Sequence, residues 1–177
     1  MDRYSVRSIL KEGNDRYLDG EHRFDASATA RESLVGGQFP QAVIVACSDS
    51  RVVPEAIFDA GLGELFVVRV AGNVIGATVL SSVAYAVEHL KARYVLVLGH
   101  TGCGAVAAAL SEESEEALQP LLRPIREAIG EERDPNLATR RNVRYGVKRL
   151  SSALGLHAKI EGAVYDLSTG RVEWLDE

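Results

Sequence analysis

Three short stretches of the chain are apolar at nearly every position. They are AVIVA at 42–46, LFVVRV at 65–70 and YVLVLG at 94–99. Continuous apolar runs of this length, rich in β-branched residues, indicate strands that are buried on both faces. Apolar residues at helical spacing over 77–92 predict a helix between the second and third strands. Buried strands joined by helices are typical of a parallel sheet covered on both sides.

Amphipathic segments surround these strands. Apolar residues at helical spacing over 4–18 predict a first helix that ends near Gly20, and the polar stretch 21–41 reads as a loop or a short helix. A helix of small residues is expected from about Ala105. Two further helices are expected later in the chain, the second beginning at Asp134-Pro135 as N-cap and first helical residue.

The chain closes on KIEGAVYDL, a Ser-Thr-Gly turn and RVEWL, which predict one more strand and a returning edge strand. The run SEESEE at 111–116 is interpreted as a solvated loop. We therefore expect an α/β fold, with a mostly parallel central β-sheet flanked by helices and an antiparallel edge strand. The absence of internal repeats and of a linker in the sequence predicts one domain over residues 1–177.

Composition narrows the class of protein. The 177 residues are 46% hydrophobic and 25% charged, with a formal net charge of −5, so an ordinary globular domain is expected. A negative chain has no surplus of cations for phosphates, so nucleic acid and membrane are not expected as partners. The charged N-terminal stretch does not resemble a signal peptide. Two cysteines are too few for a disulfide framework, which favours a cytoplasmic protein with free thiols.

The residues best suited to chemistry follow the first and third predicted strands. Cys47 comes directly after the first, and His100 and Cys103 follow the third as H-x-x-C. Loops at the carboxyl ends of parallel strands line the ligand crevice of open α/β sheets, so these side chains can converge if the strands are neighbours. Two thiolates and an imidazole form a ligand set of catalytic zinc. Ordinary buried thiols or a disulfide are the alternatives.

Asp49 and Arg51 stand two and four residues after Cys47. A carboxylate beside a metal centre can accept a hydrogen bond from water, and an arginine can hold that carboxylate ionised and oriented. The alternative is an ion pair at the surface that contributes little to the stability of the fold.

Three segments carry a resemblance to a known family. QFPQAVIVACSDSRVVPE, GLGELFVVRVAGN and SSVAYAVEHLKARYVLVLGHTGCGAV are similar to the β-class carbonic anhydrases, and the similarity runs from about residue 5 to the C-terminus. The resemblance is specific because C-x-D-x-R and H-x-x-C occur together in one chain. The resemblance implies Zn²⁺ held by Cys47, His100 and Cys103, and a catalytic dyad of Asp49 and Arg51.

The resemblance also implies substrate-binding residues. Gln38 matches a glutamine that hydrogen-bonds the substrate, and Phe66 and Tyr85 match aromatic residues that line the pocket, often across a dimer interface; core packing is the alternative for both. The family motif R-N-A-G-N is changed here to Arg69-Val70-Ala71-Gly72-Asn73.

The implied activity is the zinc-dependent, reversible hydration of carbon dioxide, a small molecule, to bicarbonate and a proton. Hydrolysis of carbon disulfide or carbonyl sulfide on the same fold is one alternative, and a non-enzymatic zinc-binding domain with Asp49 as fourth ligand is another. The resemblance implies a homodimer or higher homo-oligomer, in which the apolar face of residues 6–17 and the sheet edge pack on a second subunit.

Overall fold

The structure, a computed structural model, describes residues 3–111 and 115–175. Its helices are α1 Arg3–Asp19, α2 Ala28–Ser33, α3 Pro54–Ile57, α4 Ala77–Glu88, α5 Gly104–Leu110, α6 Gln119–Ile129 and α7 Pro135–Leu154. Its strands are β1 Ala42–Ala46, β2 Leu65–Arg69, β3 Tyr94–His100, β4 Lys159–Tyr165 and β5 Val172–Leu175. Among the described residues no helix combines the length and the apolar character needed to cross a bilayer.

The five strands form one sheet in the order β2-β1-β3-β4-β5. The first four are parallel and β5 runs antiparallel to β4, which confirms the predicted fold class. From β1 the chain first moves outward to β2 and then crosses back past β1 to β3. This change of direction leaves a crevice between the carboxyl ends of β1 and β3, where open α/β sheets bind their ligands.

The predicted elements are present, with one addition. The loop 21–41 contains the short helix α2, and Asp134 caps α7 as expected, since its Oδ1 accepts from the N–H of Leu137 at 2.8 Å. Helix α3 was not predicted, because four residues are too few to show a helical period. Part of the SEESEE run, residues 112–114, lies outside the described residues.

The two faces of the sheet bury separate cores. Val43, Val45 and Val97 face α4 and α7, whereas Ile44 and Leu96 face α1 and α3. The alternation follows from strand geometry, because successive side chains point to opposite faces.

Helix α1 belongs to this second core. Val6 and Leu10 are 4% and 3% exposed within the chain itself. The buried Asn14 amide donates to the carbonyl oxygens of Ile57 and Gly170 at 3.2 and 3.0 Å. The chain's own sheet therefore covers Val6 and Leu10 on this face, and the packing of the first helix on a second subunit stays a prediction.

Helix α7 approaches the sheet closely at two glycines. A Cβ atom on Gly99 would lie 2.5 Å from Cγ2 of Val143, and one on Gly162 would lie 2.6 Å from its Cγ1. Glycine in β3 and in β4 thus lets the Val143 side chain fit between the strands and the helix. This contact sets the position of the middle of α7 relative to the carboxyl end of β3.

We expect Gly162→Ala to lower the free energy of unfolding by about 1–3 kcal/mol, because the added methyl overpacks the contact with Val143. In a Val143→Ala background the same change should cost less, since the opposing methyls are gone. Urea denaturation of both single variants and the double variant measures this coupling. Gly36→Ala, at an exposed glycine with no atom near its Cβ position, is the control. Strictly additive effects would contradict the packing described.

Candidate metal centre

Three metal-ligating side chains meet at the crevice between β1 and β3. Cys47 follows β1, His100 is the last residue of β3, and Cys103 is the residue that precedes α5. Their ligand atoms lie within 4.8 Å of one another, and the two Sγ atoms are 4.0 Å apart. All three are buried, with exposures of 4%, 0% and 4%. The parallel pairing of β1 with β3 creates this cluster, because it brings both loops to one edge.

The cluster fits a tetrahedral metal ion. Zinc–sulfur bonds of about 2.3 Å at a tetrahedral angle place two sulfurs ~3.8 Å apart, close to the observed separation. Nδ1 of His100 donates to the carbonyl oxygen of Thr101 at 2.9 Å, so the lone pair lies on Nε2. That buried Nε2 has no hydrogen-bond partner among the described residues. A buried acceptor of this kind is satisfied by a cation.

The sulfur of Cys47 accepts hydrogen bonds from two backbone N–H groups. The backbone N–H groups of Asp49 and Gly72 donate to it at 3.4 and 3.3 Å, in addition to the contact with Cys103. The hydrogen bond from Cys103, with those from the backbone N–H groups of Asp49 and Gly72, lowers the pKa of Cys47 against the opposing effect of burial. The same contact and burial raise the pKa of Cys103. A metal ion would take the place of the proton between the two sulfurs.

Asp49 and Arg51 form a two-pronged ion pair beside the cluster. Nε and Nη2 of Arg51 donate to Oδ1 and Oδ2 of Asp49 at 2.9 and 2.7 Å, and the Arg51 backbone N–H adds a bond of 3.0 Å to Oδ1. These bonds hold the pKa of the Asp49 carboxyl well below its ordinary value. Asp49 Oδ2 lies 3.9 Å from His100 Nε2, so the ionised carboxylate borders the metal cluster.

Arg69 supports the same loop from β2. Its Nε donates to the carbonyl oxygen of Cys47 at 3.2 Å, and its Nη2 donates to that of Asp49 at 2.7 Å. Sequence reasoning named Arg69 only as part of a changed family motif and assigned it no role. The register Ala46↔Arg69, which places Arg69 beside the start of the loop, exists only in the folded sheet.

A family model described as carbonic anhydrase matches residues 42–172, a range that contains both ligand-bearing loops. The fold is similar to a crystal structure of a β-carbonic anhydrase from Aspergillus fumigatus, with a TM-score of 0.75, 29% identity, and coverage of 99% of this chain and 91% of that one. The chain belongs to the β-class carbonic anhydrase family.

Further relatives support this membership. A tetrameric β-carbonic anhydrase from Sordaria macrospora has a TM-score of 0.73 and 26% identity, covering 98% of this chain and 96% of that one. "Carbonic anhydrase 2" of Mycobacterium tuberculosis is 50% identical over 110 residues, which are 62% of this chain and 53% of that protein. The chain thus spans about half the length of these curated relatives.

The structure does not bring the three predicted substrate-binding residues of this family member to the cluster within one chain. Gln38 is exposed and precedes β1, whose length puts ~13 Å between its two ends. Phe66 lies level with Val43, ~10 Å before the end of β2. Tyr85 is 50% exposed, and its ring centroid lies 6.4 Å from that of Phe66. Their assignment to the substrate stays a prediction.

We expect Cys47→Ser, His100→Ala and Cys103→Ser each to lose most of the bound metal, because each removes one of three converging ligands. Elemental analysis of purified, metal-reconstituted protein measures the metal content per chain. His22→Ala is the control, since His22 is an exposed histidine outside the cluster. Full metal content in all three variants would show that the ion binds elsewhere.

Proposed function

We propose that the protein catalyses the zinc-dependent, reversible hydration of carbon dioxide, in which carbon dioxide and water give bicarbonate and a proton. The observation that carries the proposal is a buried Cys₂His cluster bordered by a carboxylate that an arginine holds ionised. Family membership supports it, because the curated relatives are named carbonic anhydrases.

The donor set favours zinc over other common cations. Thiolates and imidazole are the ligands that zinc prefers, whereas magnesium and calcium prefer oxygen. When bound, zinc supplies a Lewis acid that makes hydroxide available near neutral pH. Three protein ligands leave one tetrahedral position for chemistry. Thiolate ligands must stay reduced, so we further propose that the protein works in the cytoplasm.

Asp49 would orient the reacting water molecule. Its Oδ2 accepts one hydrogen bond from Arg51, lies 3.9 Å from His100 Nε2 and keeps a second lone pair that can accept a hydrogen bond from water. Because Arg51 fixes both carboxylate oxygens, the acceptor is already in place before the reaction begins. Such a hydrogen bond would fix the orientation of the water molecule and leave an oxygen lone pair free to attack the carbon of carbon dioxide.

The ion pair between Asp49 and Arg51 also favours an enzyme over a purely structural zinc site. A structural site has four protein ligands, and Asp49 is the acidic group that borders the cluster. Both of its oxygens, however, accept hydrogen bonds from Arg51, which supports an ionised, orienting role rather than a fourth ligand. Carbon disulfide and carbonyl sulfide present the same electrophilic carbon, so a panel of the three substrates decides among them.

We also propose a homo-oligomer, at least a dimer. Strand β2 lies at the edge of the sheet with half-buried apolar side chains, and such edges are open to further pairing. Val35 and Phe39 are 86% and 82% exposed in the single chain. A second subunit that covers this region would let Phe66 and Tyr85 line the partner's pocket, as the family resemblance implies. The tetrameric relative from Sordaria macrospora is consistent with assembly.

We expect Asp49→Ala and Arg51→Ala to keep their zinc and to lose about 10–100-fold in the rate of carbon dioxide hydration, since each removes a group that orients the reaction rather than a ligand. The double variant should lose little more than either single variant, because Arg51 acts through Asp49. Stopped-flow hydration assays measure the rates. Ser50→Ala, an exposed position between the two, is the matched control. Wild-type rates in both dyad variants would overturn the assignment.

Light scattering at micromolar concentration should give a mass of at least two chains. Phe39→Asp should shift the equilibrium toward the monomer, because it places a charge on an apolar side chain that is exposed in the single chain. A fully active wild-type monomer would rule out a site shared between subunits.

A further inference from the structure

A buried amide on helix α7 reaches the turn that supports Cys47. Asn142 lies in the middle of α7 and is 5% exposed. Its Nδ2 donates to the carbonyl oxygen of Gly72 at 2.9 Å, although 70 residues separate the two in the chain. A buried amide without a partner is costly, so a polar residue at this position needs a specific acceptor. That acceptor is in the turn Ala71–Asn73, directly after β2.

The turn has a conformation that presents one N–H group to the metal ligand. Gly72 is in the left-handed region, with φ 64° and ψ 18°, and a Cβ atom there would lie 2.8 Å from Cδ1 of Ile125. Glycine is therefore required for both backbone and packing reasons. In this conformation the N–H of Gly72 donates to Sγ of Cys47 at 3.3 Å.

The two hydrogen bonds act on the two sides of one α-carbon. The N–H of Gly72 belongs to the peptide unit before its Cα, and the carbonyl belongs to the unit after it. The bond from Asn142 restricts ψ, and the contact with Cys47 restricts φ. The Asn73 N–H of the same peptide unit donates to the carbonyl oxygen of Val70 at 2.9 Å. Because glycine is otherwise free to adopt many conformations, these two bonds together help to keep its N–H directed at the sulfur.

We infer that Asn142 is a positioning residue for the metal centre: by holding the Gly72 carbonyl, it keeps the Gly72 N–H hydrogen-bonded to the Cys47 sulfur. A hydrogen bond to a thiolate stabilises the charge on sulfur and reduces the electron density that it donates to a metal. Asn142 thereby adjusts the electronic character of the bound ion from outside the ligand set. The inference rests on the proposed function only in taking Cys47 as a ligand.

The test uses the full-length protein loaded with cobalt(II), whose thiolate-to-metal charge-transfer absorption reports the sulfur directly. Asn142→Leu, which has a similar shape but no donor, should move this band to lower energy, because an unsupported sulfur gives up an electron more readily. Zinc affinity, measured by competition with a chromophoric chelator, should fall about tenfold. Asn142→Ala removes the amide without adding bulk and is read in the same way if the leucine variant does not fold.

Thr139→Val is the matched control. Thr139 is buried one turn earlier on α7, and its hydroxyl donates to the carbonyl oxygen of Pro135 in the same helix. Loss of the Thr139 hydroxyl should lower the melting temperature and leave the cobalt band unchanged. An unshifted band and unchanged zinc affinity in a folded Asn142 variant would overturn the inference. Failure of the wild-type protein to bind either metal would instead overturn the proposed metal site.

Discussion

The parallel pairing of β1 with β3 is the constraint on which the site depends. It aligns Ala46 with Leu98, so that the residues that follow both strands emerge at one edge of the sheet. Both strands are buried on both faces, with core side chains alternating between the α4/α7 side and the α1/α3 side. A slip of one residue in the register of β1 against β3 would exchange the side chains that face the two cores. It would also turn the candidate ligands away from one another, so the same register specifies core packing and ligand geometry.

Burial of the three candidate metal ligands makes the surrounding hydrogen bonds necessary. A thiolate removed from water is stable only where donors or a cation replace its solvation. Around Cys47 the donors come from different parts of the chain: the N–H of Asp49 from its own loop, and the N–H of Gly72 from the turn after β2. Arg69 holds the backbone of the same loop. Asn142 of helix α7 in turn donates a hydrogen bond to the carbonyl oxygen of Gly72 in that turn.

The dyad and the ligands differ in what creates them. Asp49 and Arg51 are two residues apart, and their hydrogen bonds close within one loop, so a local motif is sufficient to form the pair. Its position beside His100 is a product of the whole sheet. A local pair with a specified orientation becomes chemically useful only when the fold places a metal-ligand cluster next to it.

The sequence by itself determined the strands, their parallel arrangement and the ligand-bearing loops, because apolar runs and short spacings act over a few residues. It also indicated that one face of α1 is buried, but only the tertiary structure decided that the chain's own sheet covers this face. Helix α3 was not predicted, because its four residues are too few to show a helical repeat of apolar positions. The link from Asn142 to Gly72 spans 70 residues, and no local pattern pairs a helix amide with a distant carbonyl. Side-chain periodicity specifies which residues leave water, whereas the partner of each buried polar group is decided by the packing of complete elements.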